Sequence, residues 1–344
     1  MRLALALSVF VSACAGRAHP DRARSPDAER SAMPREGHIP MESADLYYRE
    51  IGRGQPMIVV HGGPDFDHQY LLPDMDRLSD SYRLIYYDQR GRGASARRVK
   101  PEDVTMESEL KDLEGVRKHF QLDSVAVLGH SFGAVLAMEY AIRHQDRVSS
   151  LILMNPAPAS HADYVLLREA RRRRWAGDVE QLRAMSSTTG YQEGDPDAVA
   201  AYYRVHFKAA LYRPEDLERV VETLRASFTR EGILKARKIE ARLVAETWLR
   251  DDYDLLPQLG GLEIPTLVIS GDHEFIPEAC VEHIAGAIPK ARSIRLKECG
   301  HFSYLECPER VRKVLDEFFR GGSSLKEKAG DGAEDCGARY CEAL

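Results

Sequence analysis

What the sequence lacks narrows its function first. It has no strong excess of one charge: 48 Lys and Arg stand against 54 Asp and Glu, for a formal net charge of -6. That balance argues against nucleic acid as the main partner. The glycine cluster Arg90-Gly91-Arg92-Gly93 is followed by no Gly-Lys-Ser or Gly-Lys-Thr, and no dinucleotide fingerprint is present. The common phosphate-cradling loops are thereby excluded. The apolar run that opens the chain, Leu3 to Val11, is far shorter than the roughly 20 residues a membrane-spanning helix needs. His61 and His68 with Asp65 and Asp67 make no recognisable ligand set. Neither a metal nor a cofactor is expected.

What is present centres on the run from Ser124 to Ala134. A β-branched, apolar strand pattern stops at Gly129, and a helix pattern with Val135, Met138 and Ile142 at helical spacing begins after Ser131. In that strand–turn–helix setting Gly129-x-Ser131-x-Gly133 reads as a nucleophile elbow. So tight a turn strains the serine backbone, and only small residues two places either side let strand and helix pass. The serine hydroxyl is lifted clear of the sheet, in front of the free N–H groups that open the helix. The N–H of Phe132 is one of these.

The rest of the chain arranges itself about this turn. A buried strand, Met57 to Val60, ends in His61-Gly62-Gly63-Pro64. These glycines are either a plain turn or a backbone that approaches a ligand, with the Gly63 N–H as an oxyanion donor. A second strand, Tyr82 to Tyr87, runs into Asp88-Gln89-Arg90, read as loop ties beside the site. Thr105 caps a helix whose apolar face is Met106, Leu110, Leu113 and Val116. With the strand Ser150 to Met154, these form a βαβ series and a mostly parallel sheet. Residues 158 to 256 are densely charged with helical periodicity, and Arg171 to Arg174 reads there as a solvated helix face. Strands return at Ile264 to Ser270, ending in Gly271-Asp272-His273-Glu274, and at Ala291 to Leu296, followed by Glu298-Cys299-Gly300-His301. Ser131, Asp272 and His301, each directly after a strand, have the chain order of a nucleophile–acid–base triad. Asp272 is expected to orient His301. His273, Glu274, Asp65, Asp88 and His130 are read as neighbours, and Cys299 as a wall of the site.

Three stretches, His61-Gly62-Gly63-Pro64, Asp88-Gln89-Arg90-Gly91-x-Gly93-x-Ser95 and Gly129-His130-Ser131-Phe132-Gly133, resemble the proline iminopeptidase branch of the α/β-hydrolase superfamily. The resemblance covers roughly residues 40–157 and 262–320. Asp65 departs from it, because that branch usually carries Gly after the His-Gly-Gly-Pro. The resemblance implies an α/β-hydrolase fold with an inserted helical cap over the site. It also implies a serine hydrolase that releases N-terminal proline or another small residue from short peptides. An esterase, lactonase or amidase on small acyl substrates is the alternative, and a surface binding protein that kept the fold without activity is a third. Relatives in that branch pair the substrate amine with cap glutamates, and Glu246 is the residue whose position fits that role here. A serine nucleophile argues against the haloalkane and epoxide branches, whose ester intermediate needs a carboxylate.

The ends read differently. Arg2, the apolar run and Val11-Ser12-Ala13-Cys14 form an export signal that resembles the lipobox of bacterial lipoproteins. It implies lipidation at Cys14 and anchoring at the cell envelope, the alternative being a periplasmic or secreted protein. The expected organisation is a signal peptide over 1–14, a tether over 15–37, and core over 38–157. A cap over 158–256, core again over 257–320 and a tail over 321–344, past Gly321-Gly322, complete it. With Cys14 set aside, Cys280, Cys299, Cys307, Cys336 and Cys341 are odd in number, and Cys336 with Cys341 is a pair that an oxidising compartment would allow.

Overall fold

The computed structural model describes residues 33–324. The signal peptide with Cys14, most of the tether, and the tail with Cys336 and Cys341 lie outside the described residues. Eight strands, β1 (Arg35–Pro40), β2 (Asp45–Ile51), β3 (Gln55–Val60), β4 (Tyr82–Tyr87), β5 (Val125–His130), β6 (Val148–Met154), β7 (Thr266–Gly271) and β8 (Ala291–Leu296), form one sheet in the order β1-β2-β4-β3-β5-β6-β7-β8. The first two pairings, β1 with β2 and β2 with β4, are antiparallel and the rest are parallel. This is the α/β-hydrolase fold. Its strands begin earlier than the sequence suggests: residues 35–37, expected in the tether, pair with Glu50, Arg49 and Tyr48 of β2.

The central strands are apolar on both faces because both faces are covered. Ile58, Val60, Val127, Leu151, Leu153 and Val268 point into one core layer, while Met57, Val59, Ala126, Leu128, Ile152 and Leu267 point into the other. Helices α1 (Met106–His119) and α2 (Phe132–Arg143) cover the first layer, with Leu110, Leu113, Val116 and Val135 inside it. The last helix, α12 (Pro308–Ser324), covers the second with Val311, Val314 and Leu315, and runs on past the Gly321-Gly322 expected to stop it. Thr105 closes the start of α1 in a capping box, its hydroxyl accepting from the Ser108 N–H at 3.1 Å.

Between β6 and β7 the chain leaves the sheet for six helices: α3 (His161–Arg174), α4 (Val179–Ser186), α5 (Thr189–Gln192), α6 (Pro196–His206), α7 (Leu217–Ser227) and α8 (Arg230–Glu246). They form the cap. After it come α9 (Leu256–Leu259), α10 (Glu278–Ala287) and α11 (Ser303–Glu306).

Candidate active site

The elbow forms as its glycines require. Ser131 has φ 54° and ψ -121°, a strained backbone for a residue with a side chain. A Cβ on Gly129 would lie 2.4 Å from the Gly133 oxygen, and one on Gly133 would lie 2.1 Å from the Val60 oxygen. No side chain fits at either place. Ser131 and His301 line one cavity of about 200 Å³, walled by Gly63, Tyr70 and Phe302 from the core and by Tyr202, Tyr203 and Glu240 from the cap. Phe132 opens α2 with its ring buried edge-on against Trp248, and its N–H belongs to the first turn of that helix.

The carboxylate expected to orient His301 is where the structure corrects the sequence. Asp272 is exposed at the end of β7, where its Oδ1 accepts the Cys299 N–H at 3.2 Å, and it does not meet His301. Glu274 does: its Oε1 and Oε2 lie 2.9 and 3.0 Å from His301 Nδ1, with both side chains about 95% buried. The reason is reach. The turn after β7 spends its first carboxylate on tying β7 to the next loop, and the longer side chain two residues on folds back under the imidazole. Glu274 is held in turn by the Phe275 N–H at 2.8 Å and by Asn155 Nδ2 at 2.7 Å. Burial pushes the Glu274 carboxyl up, but the charge of His301 and the hydrogen bonds from His301 and Asn155 win and hold it below the usual range. Sequence reasoning missed Asn155, whose only signal is an Asn at the carboxyl end of a core strand.

The loop that carries His301 is fixed from several sides. His130 Nε2 lies 3.0 Å from the His301 carbonyl, and its Nδ1 lies 2.7 Å from the Tyr70 hydroxyl, which itself accepts the Gly62 N–H at 2.8 Å. The tautomer consistent with all three has the Tyr70 hydroxyl donating to Nδ1 and Nε2–H donating to the carbonyl. Burial, then the charge of His301, push His130 down to about 3, so it is neutral at ordinary pH. One chain of hydrogen bonds therefore joins the glycine turn, the elbow and the histidine loop. The His301 N–H donates to the Ala210 carbonyl of the cap at 2.8 Å, and a disulfide between Cys299 and Cys307 closes this loop. Cys299 is thus a staple of the loop rather than a wall of the cavity. Cys280 is buried and free.

The arginine run of α3 is less of a solvated face than expected. Arg174 donates to the carbonyls of Ala209 at 2.6 Å, His273 at 2.9 Å and Glu274 at 3.0 Å, bonding the cap to the turn that carries Glu274. Arg171 lines the cavity itself. The loop after β4 behaves as read: Asp88 accepts from His68 and Ala94, and Arg90 grips Asp112 with two bonds of 2.7 and 2.6 Å.

Glu246 is the second correction. At the end of α8 it accepts the Met106 N–H at 2.8 Å, serving the start of α1, and it lines a different hollow from the one that holds Ser131. The cap carboxylate in the serine's cavity is Glu240, nearly two turns earlier. It is joined there by Asp65, whose Oδ2 accepts from the Tyr203 hydroxyl at 2.7 Å. Burial, then the charge of Asp65, push Glu240 up to about 8 against the pull of Arg171 and Arg237. Asp65 is likewise raised, first by burial. Among the described residues no cluster of three or more His, Cys, Asp or Glu side chains is arranged to hold a metal ion.

Known proteins resemble this chain over most of its length. A proline iminopeptidase of Saccharolobus solfataricus is 26% identical over 290 residues, which is 82% of this chain and 91% of that protein. The crystal structure of the proline iminopeptidase of Mycobacterium smegmatis superposes with a TM-score of 0.63 at 23% identity, covering 85% of this chain and 100% of that one. An enol-lactonase from Burkholderia xenovorans LB400 superposes with a TM-score of 0.57 at 23% identity, covering 83% and 100%. The family described as the alpha/beta hydrolase fold matches residues 55–308, and the chain belongs to it.

Proposed function

We propose that the protein is a serine hydrolase that works through an acyl-enzyme, with Ser131 as nucleophile, His301 as general base and Glu274 as the orienting acid. The observation that carries this reading is the paired contact of Glu274 with His301 Nδ1 beside a serine on a strained elbow in the same cavity. A serine hydroxyl is a poor nucleophile near neutral pH and needs a base within reach. His301 takes its proton as the hydroxyl attacks the scissile carbonyl and returns it to the leaving group. Glu274 fixes the imidazole tautomer and stabilises its charged form. The Gly63 and Phe132 N–H groups receive the tetrahedral oxyanion, each worth about 2.7–4 kcal/mol of barrier. Water then repeats the sequence on the acyl-enzyme and frees the serine.

The substrate we infer is a short peptide with a free N-terminal proline or other small residue. A cavity of about 200 Å³ lies below the roughly 300–1,000 Å³ that drug-sized ligands fill. Glu240 and Asp65 offer carboxylates to a substrate amine inside it, and the iminopeptidase relatives are consistent with this use. One observation favours the second reading, an esterase or lactonase. Glu240, pushed up to about 8, is largely protonated at neutral pH, and a protonated wall suits a neutral acyl group. Fluorophosphonate labelling tests the shared chemistry: wild type should label at Ser131 and Ser131→Ala should not, with circular dichroism unchanged. A panel of prolyl, alanyl and leucyl arylamides against short acyl esters tests the substrate. Turnover confined to esters and unaffected by Glu240→Gln would remove the peptidase reading.

We also propose export and lipid anchoring at Cys14, supported by the Val-Ser-Ala-Cys pattern alone. Metabolic labelling with a fatty-acid probe tests it, and Cys14→Ala should abolish the label.

A further inference from the structure

A second hollow adjoins the serine's cavity. It measures about 600 Å³ and lies between the loop after β4, Arg92 to Arg98, and the cap from Ala226 to Arg237. The two hollows share Asp65, Phe66 and Tyr203, so the Tyr203–Asp65 hydrogen bond of 2.7 Å forms part of the partition between them. Ser131, His301 and Glu240 all line the inner cavity and not this outer cleft.

Its charge is uneven once existing partners are subtracted. The acidic side chains that line it are engaged: Asp65 with Tyr203, Asp67 with the Gln69 N–H at 2.9 Å, and Glu231 with Lys235 at 3.8 Å. Lys235 also reaches across to the Ala96 carbonyl at 2.8 Å. Arg97 and Arg98 are exposed and have no hydrogen bond or ion pair among the described residues. Arg237 lies 4.1 Å over the Tyr191 ring and donates Nη1 to the Tyr191 carbonyl, but its buried Nη2 has no acceptor among the described residues. A guanidinium nitrogen left without an acceptor away from water is costly. Arg97 and Arg98 therefore face one cleft with donor capacity unspent, at the mouth of a cavity too small for more than one residue of a substrate, while the buried Arg237 adds positive charge behind them.

We propose that this cleft is a leaving-group subsite, and that the group it takes is the C-terminal carboxylate of a short peptide whose first residue occupies the inner cavity. The proposal rests on the reading of Ser131 as the nucleophile. A guanidinium fork matches a carboxylate with two parallel hydrogen bonds, and Arg97 and Arg98 sit on a loop held to the core through Asp88 and Arg92. Peptides too short to pass the partition leave the carboxylate short of the arginines, so the preference has a length threshold.

The test compares peptides of two to four residues that begin with proline and end either in a free carboxylate or in an amide. Affinity is measured by calorimetry on Ser131→Ala, which binds without turnover. For the longer peptides we expect the acid to bind about three- to tenfold more tightly than its amide at low salt, with the difference collapsing in 0.5 M salt. The dipeptide pair should differ less. In Ser131→Ala carrying Arg97→Gln and Arg98→Gln, the acid–amide difference should disappear. The charge-matched control Lys313→Gln with Arg320→Gln, on the far helix α12, should retain it. Equal binding of acids and amides overturns the proposal, as does a preference that survives the loss of Arg97 and Arg98. Failure of the hydrolase reading shows up separately, as absence of fluorophosphonate labelling in the wild-type protein.

Discussion

The sheet edge and the cap handle their carboxylates by different rules, and the contrast explains which parts of this protein announce themselves. At the sheet edge every functional group sits within a few residues of a strand end, so chain position nearly dictates spatial position. In the cap each helix is amphipathic, and which of its charged residues faces inward depends on how the helix lies on the core. Two glutamates on α8 show this. Glu240 lines the serine's cavity, and Glu246 turns the other way to meet the Met106 N–H. Six residues apart on one helix, they serve different ends of the molecule.

The sharpest way to break the sheet-edge half of this contrast is to exchange its two acids. Glu274→Gln should lower kcat by roughly 10⁴-fold, the scale seen when a triad acid can no longer hold the imidazole tautomer. Asp272→Asn should stay within about threefold, because its carboxylate serves a backbone N–H at an exposed turn. Steady-state kinetics on whichever arylamide or ester the panel identifies will decide. Equal losses in both variants would mean that the acid role passes between the two carboxylates during turnover.

In the cap, pH sets the balance between stability and charge. Glu240 has its folded-state pKa raised from 4.5 to about 8. A carboxylate shifted in this direction is accommodated in its neutral form, so its contribution to stability is complete below the unfolded value and is lost as pH rises through the folded one. Glu240→Gln cannot ionise and escapes that loss. Its melting temperature should match wild type near pH 4 and exceed it increasingly up to about pH 8, then level off. The gain should be a few kcal/mol at most. A variant that is less stable than wild type at pH 8 would show that the ionised side chain is held by contacts that outweigh its burial.

How much was legible follows the same division. Gly129, Ser131 and Gly133 were readable because the backbone allows few residues there, and each core strand was readable because both of its faces are buried. A carboxylate after β7 and a histidine after β8 were readable by position. The choice between Asp272 and Glu274 was not, since two acids two residues apart in a turn differ only in reach, and reach depends on the turn's shape. Asn155, at a strand end, and Tyr70, which hold Glu274 and His130, do not reveal those partners in the sequence, because the partners come from 119 and 60 residues away. The first residues of β1 read as tether because a strand at the sheet's edge, paired on one side only, need not be apolar.

Third in size is the effect of Glu240 on substrate choice. With a free-amine substrate, Glu240→Gln should raise KM about tenfold, the value of one charge-assisted hydrogen bond. With an acyl ester of the same shape it should change KM little. The amine-dependent limb of the pH profile in wild type should also vanish in the variant. A tenfold loss on both substrates would assign Glu240 to cavity shape rather than to charge.

The smallest effect belongs to the other glutamate. Glu246 accepts the first N–H of α1, where the helix dipole favours a negative charge. Glu246→Gln keeps an acceptor oxygen but loses the charge, so urea denaturation should show a loss of about 0.3–1 kcal/mol. Kinetic constants on amine and ester substrates should be unchanged, since the side chain faces α1 and not the serine. Because Thr105 already caps the same turn through Ser108, Glu246 supplements a helix start that holds without it, and the loss should sit at the lower end of that range. A change in KM with no change in stability would reverse the assignment of the two cap glutamates, and with it the contrast drawn between sheet edge and cap.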